Sequence, residues 1–353
     1  MRPKTVCTRK KLLCAIALAN DPQIVVAGAG AIGCFVGGML ASAVHDITLL
    51  ARPRIGQEIR AHGLTLTDFC GMAQKVDADA LALSVKPECL GDADIILVTV
   101  KSDDTSTMAR TIAAYASPKA QIISLQNGTE NVETLRAILP DYDVRAGMVP
   151  FNVVPMGQGC FHRATSGDIV IGSGATAWAD ILSVPNLTVI ESNDITRLQW
   201  GKFLINLNNA LNALSGLTLQ EQLRHPGWRK LMADQWGEAL GVLKASNIRP
   251  LSTTPVPVGL APMILRLPTP IFIRVAASML TIDAQARTSM SQDLMARRKT
   301  EIRALQGQVV RLGARSGIAT PISSMVVEII RLAETAGEGL PNLPVIALRR
   351  EIH

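Results

Sequence analysis

The amino-acid sequence predicts an α/β domain with a mostly parallel sheet, followed by an all-helical domain. From residue 24 to about residue 128, short apolar runs alternate with segments of helical spacing, a pattern typical of parallel strands covered by helices. From Ile195 onward, helical spacing alone remains. We therefore expect domains at residues 21–194 and 195–353, with residues 1–20 as an extension outside the fold.

The first domain is predicted strand by strand. Apolar runs at 23–30, 46–52, 93–102 and 120–128 predict buried strands, and "AIGCFVGGMLASAV" (31–44) and "TSTMARTIAAYA" (105–116) predict helices between them. Three later runs, "GMVPFNVVPMG" (147–157), "DIVIGSG" (168–174) and "LTVIESND" (187–194), predict additional, antiparallel strands.

The second domain is predicted as a series of helices. Residues 195–216 form one helix of about five turns, and 226–247 form another. The proline-rich residues 250–270 indicate a loop or a broken segment. Two further helices follow, a long one over 291–317 and one over 322–339.

A glycine-rich turn joins the first predicted strand to the first predicted helix. Its glycines have separate uses: Gly28 allows a tight turn, Gly30 lets the backbone approach a pyrophosphate, and Gly33 lets the helix pack closely on the strand. This context predicts a Rossmann-type dinucleotide site, with a purely structural bend as the alternative. The candidate cofactor-binding residues are Gly28, Ala29, Gly30, Ala31, Ile32 and Gly33.

The residue at the end of the second strand bears on the choice of cofactor. NAD sites usually place Asp or Glu there to hold the ribose 2′-hydroxyl, but this strand ends in Arg52. A guanidinium favours a 2′-phosphate, so the predicted cofactor is NADPH. The alternative is an exposed arginine without a ligand.

Composition narrows the function classes. The net charge of +6 is spread along the chain without interleaved aromatics, so no nucleic-acid partner is expected. No apolar stretch reaches the length of a membrane span, so no membrane partner is expected. The five histidines lack metal-ligand spacing, and no GxSxG elbow of a serine hydrolase occurs. Six cysteines without a CxxC pair indicate reduced thiols and a cytoplasmic protein.

One predicted helix carries a chemistry-bearing face. Lys202, Asn206 and Asn209 are spaced at i, i+4 and i+7, so they share a side of the helix. A desolvated lysine has a lowered pKa and can polarise a carbonyl and protonate it as hydride arrives. The alternative is a solvated lysine flanked by surface asparagines.

Together these motifs resemble the ketopantoate reductase (2-dehydropantoate 2-reductase) family. The similarity implies a Rossmann-type domain, a helical domain like the C-terminal domain of 6-phosphogluconate dehydrogenase, and an active site in the cleft between them. It further implies NADPH-dependent reduction of ketopantoate, a small anionic keto acid, to pantoate in pantothenate biosynthesis. The matching pieces are "GAGAIG" (28–33), Arg52, "VTVKS" (98–102), "LQNG" (125–128), "WGKFLIN" (200–206) and "TSMSQDLMARRKTEI" (288–302).

The resemblance also implies residue roles. Lys202 corresponds to the catalytic lysine that protonates the ketone oxygen, and Glu301 to an essential acidic residue. Arg52 and Lys101 correspond to residues that contact the cofactor phosphates. Asn127 corresponds to an amide that contacts the substrate and the nicotinamide side of the cofactor. The remaining substrate-binding candidates are Asn206, Ser289 and Asn209, the last adjacent to the position of a family asparagine that is Ala210 here.

Several of these residues have simpler explanations. Asn127 could belong to an ordinary Asn-Gly turn, Ser289 to a capping box with Gln292, and Glu301 to a surface ion pair with Arg297. In one continuous helix, Ser289 and Glu301 would lie about 18 Å apart, too far to share a small substrate. Both can reach it only if the helix breaks.

The departures from the family pattern lie on the substrate side. They are Ala210, Ala286, Gln306-Gly307 and the apolar segment 250–280. Two alternatives to ketopantoate reduction therefore stay open, namely a related NADPH-dependent reductase of another 2-keto acid and a non-catalytic NADP-sensing protein. A homodimer is compatible with an apolar surface on the helical domain.

Overall fold

The computed structural model describes residues 22–43, 45–277, 283 and 285–350, so the expected extension at 1–20 lies outside the described residues. The described strands are β1 Ile24–Ala27, β2 Ile47–Leu50, β3 Leu64–Asp68, β4 Ala73–Val76, β5 Ala82–Ser84, β6 Ile95–Val98, β7 Gln121–Ser124, β8 Val144–Met148, β9 Val153–Gly157, β10 Cys160–Arg163, β11 Ile169–Gly172 and β12 Val189–Ser192. The described α-helices are α1 Ala31–Ser42, α2 Pro53–His62, α3 Thr105–Tyr115, α4 Asn131–Ile138, α5 Trp178–Leu182, α6 Ile195–Asn206, α7 Asn208–Ser215, α8 Leu219–Arg224, α9 Pro226–Ala245, α10 Ala261–Leu265, α11 Thr269–Val275, α12 Ser289–Met295, α13 Gln306–Ser316, α14 Pro321–Ala336 and α15 Val345–Arg350.

The larger sheet has eight strands in the order β12-β11-β8-β7-β6-β1-β2-β5. Its neighbours are parallel except for β8 and β11, which run antiparallel. The prediction of a mostly parallel sheet is confirmed. The expectation of antiparallel strands after Gly147 is wrong for β12, which runs parallel to β11 because α5 makes a crossover between them.

Helices cover both faces of this sheet because successive side chains of a strand point to opposite sides. Ile24 and Val26 of β1 belong to a core that includes α1. Val25 and Ala27 of the same strand belong to a second core that includes α3 and α4. An unpredicted four-stranded sheet, ordered β4-β3-β10-β9, packs against α1.

Beyond β12, the described segments contain helices and no strands. The helix predicted over 195–216 is two helices, α6 and α7, which meet at Leu207. Gln306 Nε2 donates a hydrogen bond of 2.7 Å to the Leu207 carbonyl, so a partner distant in sequence stabilises this junction.

The long helix predicted over 291–317 is also wrong. Helix α12 ends at Met295, α13 begins at Gln306, and Arg297 between them has a φ of +53°. Glu334 holds this irregular connection, because its Oε1 accepts hydrogen bonds of 2.7 Å from both the amide and the hydroxyl of Thr300. Ser289 and Glu301 are therefore not on one continuous helix, so the separation of about 18 Å that such a helix would impose does not apply.

The proline-rich segment contains α10 and α11 and is anchored by Arg229, whose side chain is completely buried. The guanidinium donates to the carbonyls of Leu265 and Leu267 at 3.2 and 3.0 Å and lies 4.5 Å from the ring centroid of Phe272. None of the described helices has the length and apolar character to span a bilayer.

Candidate active site

The glycine turn leaves the N-terminus of α1 open. Gly28 has a φ of +117°, and a Cβ there would lie 2.8 Å from Val100 Cγ1. A Cβ on Gly33 would overlap the carbonyl oxygen of Gly28 and lie 2.7 Å from Thr99 Oγ1. A Cβ on Gly30, by contrast, would meet no atom within 4 Å. Two of the glycines are thus required for packing, whereas Gly30 faces open space.

This turn suits a pyrophosphate. Gly30 is the N-cap of α1 and offers no capping side chain, and the first turn carries no acidic residue. Ala31 and Ile32 open the helix, so they present amide groups at the positive end of the helix dipole. Ala29 is buried, and its amide donates to the Leu50 carbonyl at 3.2 Å. The predicted cofactor residues fit the group that they are predicted to hold.

Arg52 lies at the end of β2, where it forms the N-cap of α2. Its side chain is 82% exposed, and its Nη2 lies 2.9 Å from Asp104 Oδ2. Arg54 points elsewhere and pairs with Glu58 at 3.5 Å. Of these two arginines, only Arg52 therefore reaches toward the loop that follows β6.

Lys101 connects the loop after β6 to the helical region. Its Nζ donates to Asp293 Oδ2 at 2.7 Å and to the Lys299 carbonyl at 3.0 Å. Burial raises the pKa of Asp293, against the opposing effect of the hydrogen bond and charge of Lys101. The predicted contact of Lys101 with a cofactor phosphate stays a prediction, because here the ammonium bonds to protein groups.

Glu301 contacts two polar groups from the first domain. Asn127 Nδ2 donates to Glu301 Oε2, and Ser102 Oγ lies within reach of Glu301 Oε1, both at 3.4 Å. Burial raises the pKa of the Glu301 carboxyl, although the charge of Lys101 and the Asn127 amide act to lower it. The residue is not paired with Arg297, so the surface ion pair considered from the sequence is wrong.

Lys202 lies on α6, and its side chain is half-buried. Its Nζ donates to the Pro150 carbonyl at 2.7 Å, and burial lowers the pKa of the ammonium from 10.5 to about 8. Gln199, one turn earlier, donates to the Gly147 carbonyl at 3.0 Å and fixes α6 on the strand β8. A side chain at Gly201 would overlap the Leu251 carbonyl, so this glycine lets the start of the proline-rich segment approach the helix beside the lysine.

The structure brings two of the predicted substrate residues together. Asn209 Nδ2 lies 3.4 Å from Ser289 Oγ. The cap of α12 is Thr288, whose hydroxyl accepts from the Ser291 amide, so the capping box proposed for Ser289 is wrong. Asn206 is buried one turn after Lys202.

The predicted residues thus fall into two groups. The first lies on α6, α7 and the start of α12 and comprises Lys202, Asn206, Asn209 and Ser289. The second lies on the connections that follow β6, β7 and α12 and comprises Lys101, Asn127 and Glu301. No hydrogen bond between described residues joins the two groups directly. The loop that follows β8 links the first group, since Pro150 accepts from Lys202 and Asn152 Nδ2 donates to the Arg287 carbonyl at 3.2 Å.

Four polar residues that hold the site together have no role predicted from the sequence. Ser102 and Asp293 lie inside the quoted motifs, and Asp104 lies three residues after Lys101. Asn131 is buried and donates to Ser102 Oγ at 3.1 Å and to the Asn127 carbonyl. Three of the four lie in or beside the quoted motifs, which was the available signal, but each of the four has a partner 25 or more residues away along the chain.

Comparison with known proteins gives concordant matches over both halves of the chain. The family pattern described as ketopantoate reductase PanE/ApbA matches residues 24–176, and its C-terminal pattern matches 194–334. The 2-dehydropantoate 2-reductase of Archaeoglobus fulgidus is 27% identical over 334 residues, covering 89% of this chain and 98% of its own. The Halobacterium salinarum enzyme of the same name is 25% identical over 324 residues, covering 89% of this chain and all of its own.

Solved structures agree in fold. The PanE/ApbA family ketopantoate reductase from Ralstonia eutropha JMP134 superposes with a TM-score of 0.76 at 30% identity, covering 90% of this chain and 99% of its own. A D-mandelate dehydrogenase in a ternary structure with NADH and anilino(oxo)acetate gives a TM-score of 0.74 at 22% identity, with coverage of 89% and 99%. The second match supports the fold only.

Proposed function

The chain belongs to the ketopantoate reductase family, and from this premise we propose that it reduces a 2-keto acid to the 2-hydroxy acid with NADPH, with ketopantoate as the expected substrate. The family makes it an oxidoreductase of the 2-dehydropantoate 2-reductase type. The observation that carries the proposal is the half-buried Lys202, whose lowered pKa suits proton donation near neutral pH.

Lys202 serves as the general acid in this proposal. Desolvation weakens its hold on the proton, so the ammonium becomes a better donor to a ketone oxygen that gains negative charge. The hydrogen bond to the Pro150 carbonyl fixes the amine in one position. Since α6 is also fixed to β8 through Gln199, the proton is held at a defined place in the site.

The other substrate residues provide orientation. Ser289 and Asn209 present a hydroxyl and an amide within 3.4 Å of each other, which suits recognition of a carboxylate. Asn206 adds an amide on the same side of α6 as Lys202. Glu301 and Asn127 form a second polar pair, which we assign to the part of the substrate away from its carboxylate.

The glycine turn and Arg52 would hold the cofactor. The open N-terminus of α1 suits the pyrophosphate, and the exposed guanidinium of Arg52 suits a 2′-phosphate. When bound, a nicotinamide dinucleotide supplies the hydride. The division at residues 194–195 would then separate a cofactor-binding part from a substrate-binding part, and the homodimer stays a prediction.

A larger, more apolar 2-keto acid is the second candidate. Ala210 is completely buried and Ala286 is 5% exposed, so these two departures from the family pattern leave an apolar side chain at each position. A substrate with fewer polar groups than ketopantoate fits that change.

The proposal is tested by following NADPH oxidation with ketopantoate and with a series of 2-keto acids of increasing side-chain size. Saturable turnover with ketopantoate as the best substrate supports the first candidate. Preference for a larger acid supports the second. Dinucleotide binding without turnover of any keto acid would contradict both and favour a sensor.

A further inference from the structure

An acidic residue faces the arginine on which the choice of cofactor depends. Asp104 Oδ2 lies 2.9 Å from Arg52 Nη2. Asp104 is the N-cap of α3, a position where aspartate usually caps its own helix. Here its side chain makes no capping hydrogen bond and instead points to Arg52.

The sheet order places this ion pair across the glycine turn. Strands β2 and β6 flank β1 on either side and run parallel to it. Arg52 follows the carboxyl end of β2, and Asp104 lies in the loop that follows β6. The Arg52–Asp104 pair therefore spans the carboxyl end of β1, from which the Gly28–Gly33 turn leaves.

We propose that Asp104 is a specificity-determining residue that reduces the preference for NADPH over NADH. The inference rests on the proposed function only in that it requires dinucleotide binding at this turn. Asp104 neutralises the guanidinium that would otherwise attract a 2′-phosphate, and its own charge repels that phosphate. A carboxylate also accepts a hydrogen bond from a ribose 2′-hydroxyl, so the loop after β6 supplies the acidic group that NAD sites usually carry at the end of the second strand.

Because both side chains of the ion pair are exposed, a 2′-phosphate can compete with Asp104 for Arg52. The side chains of Arg52 and Asp104 are 82% and 48% exposed, so the pair itself contributes little to stability. Arg52 can exchange Asp104 for a phosphate at low cost. For this reason Asp104 lowers the discrimination between the two cofactors without preventing the binding of either.

The test is equilibrium binding of NADP⁺ and NAD⁺ by isothermal titration calorimetry at low ionic strength. We expect Asp104→Asn to tighten NADP⁺ on the order of tenfold, as expected for one charge across a few ångströms of partly solvated surface, and to change NAD⁺ by less than about threefold. Asp103→Asn is the matched control, because it removes the same charge from an exposed neighbour that makes no ion pair with Arg52.

The same two substitutions made in an Arg52→Gln protein separate the effect of the ion pair from a general effect of charge. In Arg52→Gln, Asp104→Asn should give a smaller gain in NADP⁺ affinity than in the unaltered protein, because only the direct repulsion between Asp104 and the 2′-phosphate is left to remove. Equal gains from Asp104→Asn and Asp103→Asn, or weaker NADP⁺ binding in Asp104→Asn, would overturn the inference. Failure of the unaltered protein to bind either dinucleotide would overturn the proposed function as well, so the two failures are distinguishable.

Discussion

Replacing Lys202 by glutamine removes the proposed proton donor while keeping a group that can donate to the Pro150 carbonyl. Loss of a general acid lowers turnover by about 10²- to 10⁴-fold, so we expect kcat for the keto acid to fall within this range. Binding of NADP⁺ should change by less than about twofold, because the glycine turn and Arg52 lie on other elements. Calorimetry and steady-state kinetics on the same preparation measure the two effects.

The pH dependence gives a second readout. Lowering the pKa of Lys202 from 10.5 to about 8 disfavours its charged form by roughly 3 kcal/mol. With a pKa of about 8, about nine-tenths of the amine is protonated at pH 7 and only about one-tenth at pH 9. Since the protonated form is the acid, kcat/KM should decline as the pH rises through about 8.

The control is Lys230→Gln, which removes the same charge from an exposed position on α9. It should retain full activity and the decline above pH 8. Lys202 is not the general acid if Lys202→Gln keeps that decline, or if this variant loses NADP⁺ binding in the same proportion as turnover.

Three other predictions follow from the site. Gly30→Ala should leave the melting temperature nearly unchanged, because its Cβ would meet no protein atom, and should weaken NADP⁺ binding at least about tenfold. Gly33→Ala should instead lower the free energy of unfolding by about 1–3 kcal/mol in denaturant, because its Cβ would meet protein atoms. Ser289→Ala should raise KM for the keto acid about tenfold at nearly constant kcat, and an unchanged KM would exclude a carboxylate contact. Burial raises the pKa of the Glu301 carboxyl, so a fall in kcat/KM at acidic pH caused by its protonation should begin above the ordinary glutamate pKa. Glu301→Gln should remove that fall from the pH profile of kcat/KM.

Local patterns were sufficient to predict the parallel sheet and the glycine turn. Strand β1 is apolar on both faces, and the turn lies between a strand and a helix, so neighbouring residues contain all the information that these features require. The positions of Lys202 and Asn206 on one helix were predictable for the same reason.

Features that depend on distant partners were not predictable. The second sheet pairs β3 with β10, where the hydrogen bond between Thr67 and His162 joins residues 95 apart. The junction at Leu207 is stabilised by Gln306, 99 residues away. The sequence around each of these features is compatible with a continuous helix or an unpaired segment until the partner is known.

The ion pair of Arg52 illustrates the same limit at the site. The arginine was identified from its position after β2, but its partner lies 52 residues later on a different loop. A cofactor preference inferred from one strand end therefore omits the charge that the neighbouring strand end contributes.

The buried guanidinium of Arg229 has a consequence for how this protein can diverge. Four of its hydrogen bonds go to main-chain carbonyls, which every amino acid carries, and the fifth goes to Thr269. Two of these carbonyls, those of Leu265 and Leu267, belong to the proline-rich segment, so Arg229 holds this part of the segment whatever side chains those two residues carry. Substitutions at Leu265 and Leu267 would leave these hydrogen bonds in place, so this part of the chain can change its side chains while its main-chain path stays fixed.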